Sequence, residues 1–155
     1  MGKIEDTIKD YHYANFTSLD EQWSVYCLED KSIIKQKVVP LKIIKKDNDY
    51  AVNSTILTVT FSLRKGKPSK IPVPTTEPEI LKVLDKDKID MKFDVLKEPW
   101  NEYELDDGVK ILMKTTAIAI SGSTLYDDYG EPLYFVNHQI LTKKHITKTQ
   151  TTLSD

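Results

Sequence analysis

The chain has 155 residues, of which 39% are hydrophobic, and a formal net charge of −2. This length suits one domain or two small ones, and two Trp, eight Tyr and four Phe can build a core, which argues against intrinsic disorder. The balanced charge gives no overall basic field for a nucleic acid or a membrane surface, and no apolar run approaches the roughly 18 residues of a membrane-spanning helix.

The cysteine content and the N-terminus bear on the cellular compartment. Cys27 is the only cysteine, so an internal disulfide is ruled out, which is typical of a reducing compartment. Residues 1–6 lack the apolar core of a signal peptide. We therefore expect a soluble, cytoplasmic protein.

Two short helices are predicted, one ahead of each half of the chain. The first covers residues 3–12, where apolar side chains recur at helical spacing. The second covers residues 77–86, where Thr76 and Glu79 form a capping box with Pro78 in the first turn.

A repeated motif follows the first helix and returns 77 positions later. The motif contains the only two tryptophans, and its identical residues are Phe16/Phe93, Leu19/Leu96, Glu21/Glu98, Trp23/Trp100, Tyr26/Tyr103 and Leu28/Leu105. Further along, Tyr50 corresponds to Tyr134 at an offset of 84, so the second copy has gained about seven residues. Loops tolerate such insertions. We interpret the chain as a tandem duplication of one small unit.

Each copy has the pattern of strands joined by tight turns. Tyr103 and Leu105 alternate with charged neighbours, as in a half-buried strand. Asp107-Gly108 is a strong signal for a two-residue turn. The first copy has Lys31 in place of this glycine, which predicts a longer turn or a turn of another type.

The buried phase of the next strand changes partway along both copies. In the second copy the apolar residues change from odd-numbered positions at Ile111 to even-numbered positions at Ile118. In the first copy they change from even-numbered positions at Ile34 to odd-numbered positions at Leu41. A strand that changes face is bulged or sharply bent, and bent strands curl small sheets into barrels. The pattern therefore predicts that Ile118 and Leu41 are buried in barrel-like sheets.

These elements together predict a β-rich α+β fold. Each unit is a short helix followed by a strongly bent, antiparallel, barrel-like sheet. Three prolines exclude regular structure from the connection between the units. The predicted boundaries are residues 1–66 for unit 1 with strands within 16–63, residues 67–75 for the linker, residues 76–148 for unit 2 with strands within 93–146, and residues 149–155 for the tail.

Trp23 and Trp100 are candidate stacking residues, because an exposed indole can carry a base or a sugar ring. The alternative is a core position in which the indole closes the open end of a small barrel. The second interpretation is favoured, because each tryptophan recurs together with Phe, Leu and Tyr partners.

Acidic residues cluster at the predicted turns. Glu29-Asp30 and Asp106-Asp107 lie at the hairpin tips. The inserted segment forms a candidate variable loop with Asp127, Asp128, Tyr129 and Glu131. Oxygen-rich clusters bind Ca²⁺, but the spacing matches no calcium loop, so we expect solvated turn residues and no metal site.

The sequence carries no catalytic signature. His12, His138 and His145 show no zinc-binding spacing, and Cys27 has no evident histidine partner for nucleophilic catalysis. We expect no catalytic residues, no cofactor and no enzymatic activity, although a site assembled between the two copies stays open.

The best candidate surface lies where the copies disagree. Val25 and Cys27 correspond to Glu102 and Glu104, so one face of this strand is apolar in the first copy and acidic in the second. An unmatched apolar face indicates contact with the other copy or with a partner.

These observations favour a non-enzymatic interaction or adaptor module that binds a protein partner or associates with itself. The alternative is a nucleic-acid-binding protein with small barrels of the OB or SH3-like kind. This alternative depends on the paired tryptophans and on the basic first copy, which has ten Lys and Arg against six Asp and Glu over residues 16–70. No membrane association is expected.

Overall fold

The computed structural model describes residues 11–69, 76, 78, 79, 82 and 88–146. Within them, each half of the chain forms five strands whose side chains alternate between the two faces of a sheet. The first half of the chain provides β1 (Tyr11–Ala14), β2 (Phe16–Asp20), β3 (Ser24–Leu28), β4 (Ile33–Lys46) and β5 (Asp49–Phe61). The second half provides β6 (Ile89–Met91), β7 (Phe93–Lys97), β8 (Asn101–Leu105), β9 (Lys110–Tyr126) and β10 (Pro132–His145). The strands β2, β3 and β4 begin 77 positions before β7, β8 and β9, which is the offset of the sequence repeat.

The predicted α+β class with barrel-like units is wrong. Of the described residues, 70% are in strands and 2% are helical, and neither sheet closes into a barrel among them. Tyr11 and His12, placed by prediction in a helix over residues 3–12, belong to β1, because pairing with β4 satisfies their backbone groups. Residues 1–10 lie outside the described residues. So does most of the predicted helix over residues 77–86. Its described residues Pro78, Glu79 and Lys82 are helical in conformation, but no helix is among the elements of the described part of the chain.

Both sheets are antiparallel and five-stranded. In sheet A, β4 pairs with β5 along one side and with β3 and β1 along the other. In sheet B, β9 pairs in the same way with β10 on one side and with β8 and β6 on the other. The long strands β4 and β9 therefore organise their sheets identically.

The two halves of the chain exchange one strand each. The strand β7 pairs with β3 and so joins sheet A, whereas β2 pairs with β8 and so joins sheet B. Each sheet therefore contains four strands from one half and one strand from the other. Neither sheet is complete without the other half of the chain.

The core lies between the two sheets and mixes residues of both halves in two clusters. Tyr26 and Tyr103 are fully buried at equivalent places, one in each cluster. Phe93 of the exchanged strand β7 packs edge-on against Tyr26 at 5.7 Å between ring centroids, and Phe16 of β2 packs against Tyr103 at 6.0 Å. The exchange therefore places an aromatic anchor in each half of the core.

The change of buried phase is present, but its position differs from the prediction. In β4 the buried positions shift from even to odd numbers at a register irregularity between Pro40 and Lys42. Leu41 is the extra residue of this bulge and is 59% exposed, and the equivalent Ile118 is 56% exposed. Their predicted burial is wrong, because the bulge leaves two consecutive residues on the exposed side, Leu41 with Lys42 and Ile118 with Ala119.

The predicted difference between the two β-turns is also wrong. Lys31 occupies the place of Gly108 and adopts a φ of 72°, close to the 85° of the glycine. Both residues donate a 2.9 Å backbone hydrogen bond to the last residue of the preceding strand. The first copy therefore keeps the same turn and places a lysine in the left-handed region.

Candidate interaction face

The outward surface of sheet A is built from alternate residues of three neighbouring strands. Register places Phe61 of β5 beside Ile33 of β4, and Ile33 beside Cys27 of β3. The next row places Val59 beside Lys35, and Lys35 beside Val25. The predicted partner residues Val25 and Cys27 thus belong to a wider apolar surface.

We name this surface the outer face of sheet A. Its apolar residues are Val25, Cys27, Ile33, Leu57, Val59 and Phe61. The residues of β5 are the most accessible, since Leu57 is 46%, Val59 40% and Phe61 53% exposed. Those of β3 and β4 are half-buried by their neighbours. The accessible part of the face therefore lies towards β5.

Two lysines cross the outer face of sheet A. The Lys35 ammonium lies 5.5 Å from the centre of the Phe61 ring, and the Lys37 ammonium lies 5.2 Å from the Trp23 ring and 3.5 Å from Glu21. Their aliphatic stems extend the apolar surface, and the Lys35 ammonium lies on the face itself, over Phe61. The strand β7 bounds the far side with Lys97 and Asp94.

Sheet B provides an internal comparison for this face. The equivalent rows are His145–Lys110–Glu104 and Lys143–Leu112–Glu102, in the same register. Five outward positions that are apolar in sheet A are therefore charged residues or histidine in sheet B: Val25/Glu102, Cys27/Glu104, Ile33/Lys110, Val59/Lys143 and Phe61/His145. Because one fold accepts both sets, the apolar set is not a requirement of the fold.

Trp23 and Trp100 are half-buried and lie directly before β3 of sheet A and β8 of sheet B. Lys37 of β4 covers Trp23, whereas Lys114 of β9 and Lys143 of β10 cover Trp100 at 5.0 Å and 4.4 Å. These are cation–π contacts. The two indoles therefore do not form one shared stacking surface.

The acidic turn residues Asp30 and Asp107 bind tyrosines of the opposite half. The Tyr134 hydroxyl donates to Asp30 at 3.0 Å, and the Tyr50 hydroxyl donates to Asp107 at 2.5 Å. Burial raises the pKa of Asp107, but hydrogen bonds from Tyr50 and Lys45 outweigh it and lower the pKa to about 2. These carboxylates therefore tie the two halves together.

Asp127, Asp128, Tyr129 and Glu131 form the turn between β9 and β10. Asp127 Oδ1 accepts hydrogen bonds from the backbone N–H groups of Tyr129 and Glu131, both at 2.9 Å. The Glu131 side chain binds Lys65 at 3.0 Å, and the backbone of Gly66 donates to this turn. The insertion thus anchors the segment after β5, with Tyr129 86% exposed at the tip.

The only arginine forms a cluster that the sequence did not reveal. The Arg64 guanidinium lies 5.7 Å and 5.8 Å from the rings of Tyr126 and Tyr134, and 3.6 Å from Asp30. It also donates to the Tyr126 hydroxyl at 3.1 Å. A signal was present for part of this arrangement, because a tyrosine and an aspartate recur together in both copies.

The three histidines occupy different positions in the strands. His12 lies in β1, His138 lies beside a register shift of β10, and His145 ends β10. No group of three or more His, Cys, Asp or Glu side chains in the described part of the chain could hold a metal ion. Among the same residues, no helix is long and apolar enough to cross a membrane.

Comparisons with protein-family models, curated proteins and solved structures find no match to this chain.

Proposed function

We propose that this chain is a non-enzymatic interaction module that binds a protein partner through the outer face of sheet A. One observation carries the proposal: five outward positions are apolar in sheet A, and their equivalents in sheet B are charged residues or histidine. The fold does not require this face to be apolar, and exposing apolar side chains to water is unfavourable. Such a face is typical of a surface that a partner covers.

The free energy gained when a partner covers this face comes mainly from burying side chains of β5. Leu57, Val59 and Phe61 are about half exposed, so each contributes about 1 kcal/mol when a partner buries it. Lys35 and Lys37 place positive heads over Phe61 and Trp23. The partner surface that fits is apolar and carries carboxylates where it meets these two ammonium groups. The free Cys27 suits a reducing compartment, so we place this binding in the cytoplasm.

The test compares affinity capture from native lysate by three immobilised proteins. The variant L57T/V59T/F61T puts threonine, a β-branched residue that suits a strand, at three positions of β5 and removes their exposed apolar groups. The control L19T/I118T/Y129T removes three exposed apolar side chains elsewhere. Proteins captured by the wild type and the control, and lost with the β5 variant, support the proposal.

The captured protein is then purified and titrated calorimetrically. We expect the β5 variant to bind at least tenfold more weakly, and wild-type binding to show the negative heat-capacity change of apolar burial. Equal capture and equal affinity of the β5 variant and the wild type would contradict the proposal.

A further inference from the structure

The second side of β5 is an open sheet edge. This strand is 13 residues long and pairs with β4 from Asp49 to Phe61. Among the described residues, no strand pairs with its other side. Alternate backbone N–H and C=O groups along that side therefore point out of the sheet, which makes the edge a template for another strand.

The equivalent edge strand β10 carries the usual protections against such pairing. It starts at Pro132 and ends with Lys143, Lys144 and His145. Prolines and lysines are among the features by which natural edges avoid pairing with other chains. The β10 edge of sheet B is therefore guarded.

The strand β5 has none of these features after its first residue. From Tyr50 to Phe61 it contains no charged residue, no proline and no glycine. The extra residue at its only register shift belongs to β4, so β5 itself runs without a bulge. Thr60 stands where β10 has Lys144. Two edges of the same design thus differ in the residues that prevent pairing.

We infer that two copies of this chain associate by antiparallel pairing of their β5 edges about a two-fold axis at Val59. Self-pairing sets each strand against its own sequence, so the uncharged β5 avoids the like-charge contacts that Lys143 and Lys144 would bring to β10. The axis at Val59 sets Leu57 opposite Phe61 of the second copy. These pairs of apolar side chains are favourable across antiparallel strands.

The inferred dimer has consequences for the proposed partner face. The two A sheets become one ten-stranded sheet, and the two outer faces of sheet A lie side by side across the axis. A two-fold pairing closes on itself, so the dimer is the end point of assembly. The inferred dimer and the proposed partner both use Leu57 and Phe61, but T60K changes the edge and not the outer face, so failure of the dimer can be distinguished from failure of the proposed function.

The test measures the solution mass of the full chain by light scattering at several concentrations. We expect twice the 17.8 kDa of one chain. The variant T60K gives β5 the lysine that β10 has at this place and leaves the outer face unchanged. It should raise the dimer dissociation constant at least tenfold. The control Q139K adds the same charge to β10 and should leave the dimer intact.

A crosslinking experiment tests the register. In a C27S background, V59C places two thiols opposite each other across the axis and should form an interchain disulfide on mild oxidation. The control L19C in the same background should not.

Several outcomes would overturn the inference. These are a wild-type monomer up to hundreds of micromolar, a dimer that T60K leaves intact, and assembly beyond the dimer. A monomer whose T60K variant loses a captured partner would mean that a strand of another protein occupies the edge. A monomer that still binds its partner through Leu57, Val59 and Phe61 would reject the dimer and leave the proposed function standing.

Discussion

Lys31 stores conformational strain at one defined turn. Its φ of 72° lies in the left-handed region, which costs a residue with a Cβ about 1–2 kcal/mol. The turn is nevertheless the same as the one with Gly108, including its 2.9 Å backbone hydrogen bond. The pairing of β3 with β4 therefore determines the backbone conformation of Lys31, against the intrinsic preference of a lysine residue.

Replacing Lys31 by glycine should stabilise the molecule. We expect K31G to raise the free energy of unfolding by about 0.5–1 kcal/mol, because relief of strain exceeds the extra entropy of glycine in the unfolded chain. The control K31A removes the same side chain without relieving the strain and should change little. Urea denaturation measures both variants, and equal stability of K31G and K31A would contradict the argument.

The hydrogen bond between Tyr50 and Asp107 makes stability depend on pH in a defined window. The pKa of Asp107 is lowered to about 2 in the folded state from an ordinary value of 3.8. A lowered carboxyl pKa contributes stability that is present above pH 3.8 and is lost as the pH falls towards 2. The loss comes from protonation of the carboxylate that accepts from Tyr50.

We therefore expect Y50F to reduce the free energy of unfolding by about 1 kcal/mol at pH 7, after allowance for partial solvent exposure. The difference from wild type should shrink as the pH falls from 4 to 2. Y129F, at an exposed position, serves as the control. A Y50F effect of equal size at pH 7 and pH 2, measured by denaturation at each pH, would contradict this account.

At the scale of elements, local sequence patterns predict where strands lie better than they predict which strands pair with each other. The alternation of Leu57, Val59 and Phe61 correctly indicates a strand. The offset of the sequence repeat equals the offset between the starts of β2, β3 and β4 and those of their equivalents β7, β8 and β9. Three apolar residues at helical spacing gave a wrong helix for Tyr11 and His12, because the ladder with β4 decides their conformation. Strand pairing depends on contacts distant in sequence, which periodicity does not record.

The same limit applies to the candidate face. The difference between Val25 and Glu102 led to β3 as a candidate, but alternation alone did not show that Phe61 lies in the same row as Cys27. That row exists only through the register of β5, β4 and β3. The exchange of β2 and β7 left no local trace, because an exchanged strand and a retained strand have the same sequence pattern.

At the scale of the whole molecule, the exchange makes the two halves one cooperative unit. Removing β7 from sheet A would expose Tyr26, and removing β2 from sheet B would expose Tyr103. A tyrosine of each half also donates a hydrogen bond to a turn carboxylate of the other half: Tyr134 to Asp30 and Tyr50 to Asp107. Unfolding of either half therefore removes part of the core and a cross-half hydrogen bond from its neighbour.

We expect a single unfolding transition reported equally by both halves. Each half has one tryptophan, so W100F leaves Trp23 as the reporter and W23F leaves Trp100. Each fluorescence curve in urea should coincide with the circular dichroism curve of the same variant in midpoint and slope. The T60K background keeps the transition unimolecular if the chain dimerises. Separate midpoints for fluorescence and circular dichroism would show that the halves unfold independently despite their shared sheets.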